Sequence, residues 1–96
     1  MEEGHEVLEA LPRLLAPQRS EFTVLVAYSI DDTTRGCIEK AAVLEPRIIP
    51  VLAETHRLHS LEGALTRRLS QLEQERGRKV TDALIVPLPA LQVKRL

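Results

Sequence analysis

Between residues 22 and 30 nearly every position is apolar: Phe22, Val24, Leu25, Val26, Ala27, Tyr28 and Ile30, with only Thr23 and Ser29 between them. A β-branched run without alternation reads as a strand central in its sheet. Asp31, Asp32, Thr33 and Thr34 follow at once, residue types that cap helices and whose carboxylates suit a helix start. A helix is expected over 33–44, with Ile38, Ala41, Ala42 and Cys37 turned inward, ending at Pro46. Residues 47–54 read as a second strand, which Pro50 demotes to an edge or a bulge. After a turn over 55–59, Ser60 is expected to cap a long helix striped by Leu61, Leu65, Leu69 and Leu72, with Gly77 just beyond its end. Residues 83–88 predict a third strand ending at Pro87, and the alternation over 91–96 predicts an edge strand. Upstream, Val7, Leu8, Leu11, Leu14 and Leu15 predict a short amphipathic helix over 6–15, kinked at Pro12, with 16–20 as linker.

From residue 22 the expected order is strand, helix, strand, helix, strand, strand. That order suits an α+β fold, a ferredoxin-like open-faced sandwich with both helices on one face of the sheet, preceded by an N-terminal amphipathic helix. The chain then divides into a helical appendage and linker over 1–21 and a ferredoxin-like domain over 22–96. A doubly wound parallel sheet is disfavoured by so few strands. The strands are apolar on both sides, so a bare sheet face would need cover. A homodimer, or the N-terminal helix folded across the face, would supply it.

Composition narrows the function. Ninety-six residues suit one domain. Aromatic residues are only 2%, which argues against a base-stacking platform and an aromatic ligand cage. One cysteine, Cys37, excludes an intramolecular disulfide and a four-thiolate zinc site, and a reduced cytoplasmic compartment is the default. The acidic start at Met1, Glu2 and Glu3 does not read as a secretory signal, and no apolar run nears the roughly 20 residues of a membrane span. The net charge of −1 hides an uneven spread: residues 1–21 carry five acids and two bases, residues 22–96 nine acids and eleven bases.

Asp31, Asp32 and Glu54 are the acids expected at strand ends. Such carboxylates can hold Mg²⁺ for phosphodiester hydrolysis, since a hard cation takes oxygen ligands; the ordinary role of the two aspartates is helix capping. His56 and His59 flank a turn beside Glu54, where a metal would still need a third ligand. Cys37 falls on a helix stripe as a small core residue. No Gly-x-Ser-x-Gly, glycine-rich phosphate loop or Cys-x-x-Cys occurs. The bases fall in small groups: Arg35, Lys40, Arg47, Arg57, Arg67 with Arg68, Arg76 with Arg78 and Lys79, and Lys94 with Arg95. They read either as solvated faces partnered by Glu39, Glu62, Glu73 and Glu75, or as contacts to a phosphate backbone.

From Tyr28, Ser29, Ile30, Asp31 and Asp32 through Arg35, the pattern resembles the small CRISPR-associated Cas two family, which opens with an apolar strand ending in Tyr-Asp-Ile, an acidic turn and a basic helix start. The match continues through Pro50, Val51, Leu52, Ala53 and Glu54, the leucine-striped segment 60–74, the strand Asp82-Ala83-Leu84-Ile85-Val86-Pro87-Leu88 and the final run 91–96. It covers roughly residues 22–96. Ser29 replaces the family's strand-end Asp, which argues against metal binding and nuclease activity, and the second strand lacks the family's aromatic residue.

The resemblance implies a ferredoxin-like homodimer acting as the non-catalytic adaptor of a spacer-acquisition integrase. It would bridge Cas one integrase subunits and hold double-stranded DNA, with no membrane and no cofactor beyond a candidate Mg²⁺. By residue it carries Asp31 or Asp32 onto the acidic turn, as a metal candidate, and Arg35 onto the basic helix start. Arg47, Arg57, Arg78 and Lys79 join Arg35 as DNA-binding candidates on electrostatic grounds. Two other readings stand beside it: a regulatory or ligand-sensing domain of the same fold, and an Mg²⁺-dependent nuclease using Asp31, Asp32 and Glu54.

Overall fold

A computed structural model describes residues 12–13, 15–16, 22–33, 35–88 and 94–95. The elements in chain order are β1 (Thr23–Ser29), α1 (Arg35–Leu44), β2 (Ile48–Ala53), α2 (Leu58–Arg76), β3 (Ala83–Pro87) and β4 (Lys94–Arg95). Each strand and helix expected over 22–88 is present, and of the edge strand expected over 91–96 only Lys94 and Arg95 lie within the described residues, where they are paired in β4. The helix expected over 6–15 and the linker over 16–20 lie mostly outside the described residues; Pro12, Arg13 and Leu15 are helical, and the Ala16 N–H donates to the Pro12 carbonyl at 3.1 Å.

The four strands form one sheet in the order β2-β1-β3-β4. β1 runs parallel to both β2 and β3, and β4 closes the far edge antiparallel to β3. β1 is therefore central, and all seven of its residues are buried. Alternate side chains of a strand point to opposite faces. On one face Val24, Val26 and Tyr28 pack with Ile48, Val86 and Ile38 of α1. On the other, Leu25 and Ala27 pack with Val51, Ala53, Ala83 and with Leu61, Ala64, Leu65 and Leu72 of α2.

The helices thus flank the sheet on opposite faces, which corrects the expectation of a ferredoxin-like sandwich with both on one face. The domain is a small compact one of mixed α and β structure whose first three strands are parallel. The physical reason lies in the strand order. The step from β1 to β2 goes one way across the sheet, and the step from β2 to β3 goes back past β1. Crossovers between parallel strands are right-handed, so opposite steps put their helices on opposite faces. The unbroken apolar run of β1 fits a strand covered on both sides. Among the described residues both sheet faces are covered, so the argument for a homodimer from a bare face does not apply.

β2 is the open edge, as Pro50 foretold. The Val24 N–H donates to the Arg47 carbonyl at 2.8 Å, which sets Arg47, Ile49, Val51 and Ala53 toward β1. Ile48, Pro50 and Leu52 therefore face outward. The Ile48 N–H is taken by the Glu45 carbonyl at 3.0 Å, and Pro50 has no N–H. The edge offers Leu52 alone as a donor, which blunts pairing with another strand.

Pairing of Ser29 with Ala53, and of Ala27 with Pro87, brings the carboxyl ends of β1, β2 and β3 to one side. In sheets of this winding that side is where ligands are bound.

Candidate nucleic-acid interface

α2 shows why its sequence leaves a polar ridge outside. Leu61, Ala64, Leu65 and Leu72 are buried against the sheet. At 3.6 residues per turn the opposite side collects Gly63, Thr66, Arg67, Ser70 and Gln74, of which all but the half-buried Gly63 are exposed. No carboxylate lies on that line. The helix acids sit on its flanks, and two are engaged there: Glu73 Oε2 accepts from the Val80 N–H at 3.0 Å, and Glu75 pairs with Arg68 at 3.7 Å. Across residues 57–79 six bases meet three acids, so this segment is cationic in a chain of net charge −1.

The ridge is basic at both ends. Arg57 is the residue preceding α2, and His59 stands in its first turn, both exposed. At the other end Gly77 adopts a left-handed conformation (φ 67°), which Gly tolerates without a Cβ clash. The chain there turns to expose Arg78 and Lys79. Gly77 was expected in that role. Ser60 was expected to cap the helix and does not: Arg57 occupies the cap position, and Ser60 Oγ in the first turn accepts from the Thr55 N–H at 3.2 Å. Nineteen helical residues put Arg57 and Arg78 about 28 Å apart.

The other proposed DNA contacts are placed differently. Arg35 opens α1 and is ion-paired to Glu39 one turn on, Nε to Oε1 at 3.0 Å. Arg47 is engaged within the fold. Its guanidinium makes a fork on Glu45, Nε to Oε2 at 2.9 Å and Nη2 to Oε1 at 2.8 Å. Nη1 donates to the Leu15 carbonyl at 2.8 Å. Hydrogen bonds from Arg47 hold the Glu45 carboxyl down at about 2, and the same pairing raises the Arg47 guanidinium. Arg47 therefore pins Leu15 into the core beside Ile38 and presents no free fork to a ligand.

Asp31, Asp32, Glu54 and His56 all lie at the carboxyl side of the sheet, as expected. The Asp32 N–H donates to the Ser29 carbonyl at 3.0 Å, and the Asp32 carbonyl accepts from the Arg35 N–H at 3.1 Å, so the acidic turn is a backbone bend leading into α1. Ser29 is buried in the sheet. Among the described residues no three His, Cys, Asp or Glu side chains come together in a group that could hold a metal ion. Cys37 is exposed, which corrects its placement on the inner stripe. It adjoins the buried Ile38, and neighbouring helix positions are 100° apart.

An open groove of about 1010 Å³ lies outside the carboxyl end of β2. Arg57, His59 and Arg67 line it with Thr55 and Ser60, Gly63 forms part of its floor, and Glu54 is its one acid. Arg67 was grouped with Arg68 in the sequence but not chosen as a site residue. The signal that finds it is the spacing Gly63, Arg67, Ser70, Gln74, the polar complement of the leucine stripe.

No family model matches the chain, and neither a curated protein nor a solved structure matches it significantly.

Proposed function

We propose that this chain is a non-catalytic DNA-holding module that lays α2 along the phosphate backbone of a duplex. The observation that carries the reading is the outward face of α2. Small and uncharged polar side chains, Gly63, Thr66, Ser70 and Gln74, let a backbone approach closely, and Arg57 at one end, Arg67 midway and Arg78 with Lys79 at the other end supply charge. Phosphate oxygens take such donors without base readout, so the role needs holding and no reaction. The site thus keeps Arg57, Arg78 and Lys79 of the sequence reading, adds Arg67, and leaves out Arg35 and Arg47, which are paired with Glu39 and Glu45. The adaptor role between integrase subunits rests on the motif resemblance over residues 22–96 and requires a frame other than the ferredoxin-like one. Among the described residues no helix is long and apolar enough to cross a membrane.

The test is duplex binding by fluorescence anisotropy across a salt series. Affinity should fall steeply with salt, because each neutralised phosphate releases counterions. Arg67→Gln and Lys79→Gln should each weaken binding for every sequence and lower the log–log salt slope by about 1, whereas Arg47→Gln should leave the slope unchanged. Equal slopes for all three variants would refute the α2 interface.

A further inference from the structure

The groove at the start of α2 does more than continue the ridge, because it is concave and its cations converge. Arg57 reaches it from the β2–α2 connection and Arg67 from within the helix. A Cβ built on Gly63 would lie 3.4 Å from Arg67 Nη1, so the guanidinium lies back over Gly63 on the side of the groove. Long helical side chains lean toward the helix start, which is where the groove is. The loop is pinned to the helix: the Thr55 N–H donates to Ser60 Oγ at 3.2 Å and the Arg57 N–H to Thr55 Oγ1 at 3.3 Å. The backbone that carries Arg57 is thereby fixed before any ligand arrives, which lowers the ordering cost of binding. Neither arginine has an ion-pair partner among the described residues. Two guanidiniums and an imidazole face a single carboxylate, Glu54, so the groove is cationic.

We propose that this groove receives a phosphate monoester, its dianion held between the forks of Arg57 and Arg67 with His59 and Ser60 beside it. Guanidinium forks match phosphate oxygens two at a time, and a monoester carries one more charge than a backbone diester. The groove also lies on the carboxyl side of the sheet, beyond the end of β2 and away from the switch point between β1 and β3. The phosphate can come from the 5′ end of a DNA strand or from a free small molecule. The first source deepens the DNA-holding reading and rests on it; the second does not.

The experiment compares two duplexes, identical except for a 5′-phosphate or a 5′-hydroxyl, binding to the full chain. In parallel, inorganic phosphate is titrated while the amide resonances of His59, Ser60 and Gly63 are followed, with sodium chloride at equal ionic strength as control. The 5′-phosphate duplex should bind about tenfold tighter. Arg57→Gln and Arg67→Gln should erase that preference, and Lys79→Gln should weaken both duplexes alike. Phosphate should shift the groove amides where chloride does not. If neither duplex binds but phosphate moves those amides, the groove stands with a free phosphate as its ligand and the DNA-holding reading fails. If both duplexes bind equally and phosphate acts no differently from chloride, the groove is overturned while the α2 interface survives.

Discussion

A sheet covered on both faces makes a sharp thermodynamic prediction, because side chains in its two cores cannot feel one another. Ile38 of α1 is 0% exposed in one core and Leu61 of α2 is 1% exposed in the other. Ile38→Val removes one buried methyl and should cost about 1 kcal/mol. Leu61→Ala removes more carbon and leaves a hole against Leu25 and Val51, costing about 3 kcal/mol. Sites this far apart without shared neighbours should add, so the double variant should lose about 4 kcal/mol, with a coupling energy under about 0.5 kcal/mol. Urea unfolding followed by circular dichroism reads this out. With a slope near 2 kcal/mol/M, the midpoint should fall by about 0.5 M, 1.5 M and 2 M for the three proteins. Were both helices on one sheet face, these residues would share a core and couple by up to about 3 kcal/mol. A coupling above about 1 kcal/mol, or a Leu61→Ala loss below that figure, would refute the three-layer arrangement.

Three further outcomes follow from individual residues. Glu45 titrates at about 2 when folded, below its ordinary 4.5, so the Arg47 pair adds stability above pH 4.5 and loses it as the pH falls toward 2; acid unfolding of Glu45→Gln should lack that part of the dependence, and a carboxyl resonance titrating near 4.5 in the wild type would contradict the clamp. Gly77→Ala forces a side chain into a left-handed position with φ 67° and should cost about 1 kcal/mol, seen as a lower thermal midpoint; an unchanged midpoint would mean the helix does not end there. Leu44 is 76% exposed, so Leu44→Ser should move the urea midpoint by less than about 0.5 kcal/mol equivalent, and a larger loss would show that another part of the chain covers it.

The candidate interface was partly readable from the chain. Arg57, Arg78 and Lys79 were candidates on the grouping of their charges, and all three are exposed. Arg67 was hidden in plain view, since choosing it requires knowing which side of the helix faces water. Charge alone could not show that Leu15, thirty-two positions away, supplies a carbonyl that takes the Arg47 guanidinium. Cys37 was misplaced by a single step around the helix.

Local physics wrote the elements into the sequence. The apolar run of β1, the leucine stripe of α2, the edge role that Pro50 imposes on β2 and the stop at Gly77 all depend on residues within a few positions of each other. Which strand lies beside which does not. Parallel pairing of β1 with both β2 and β3 depends on long-range packing, and only that pairing, with the fixed hand of the crossovers, decides that α1 and α2 take opposite faces. The same pairing gathers the strand ends at one side and leaves α2 with a single face in water.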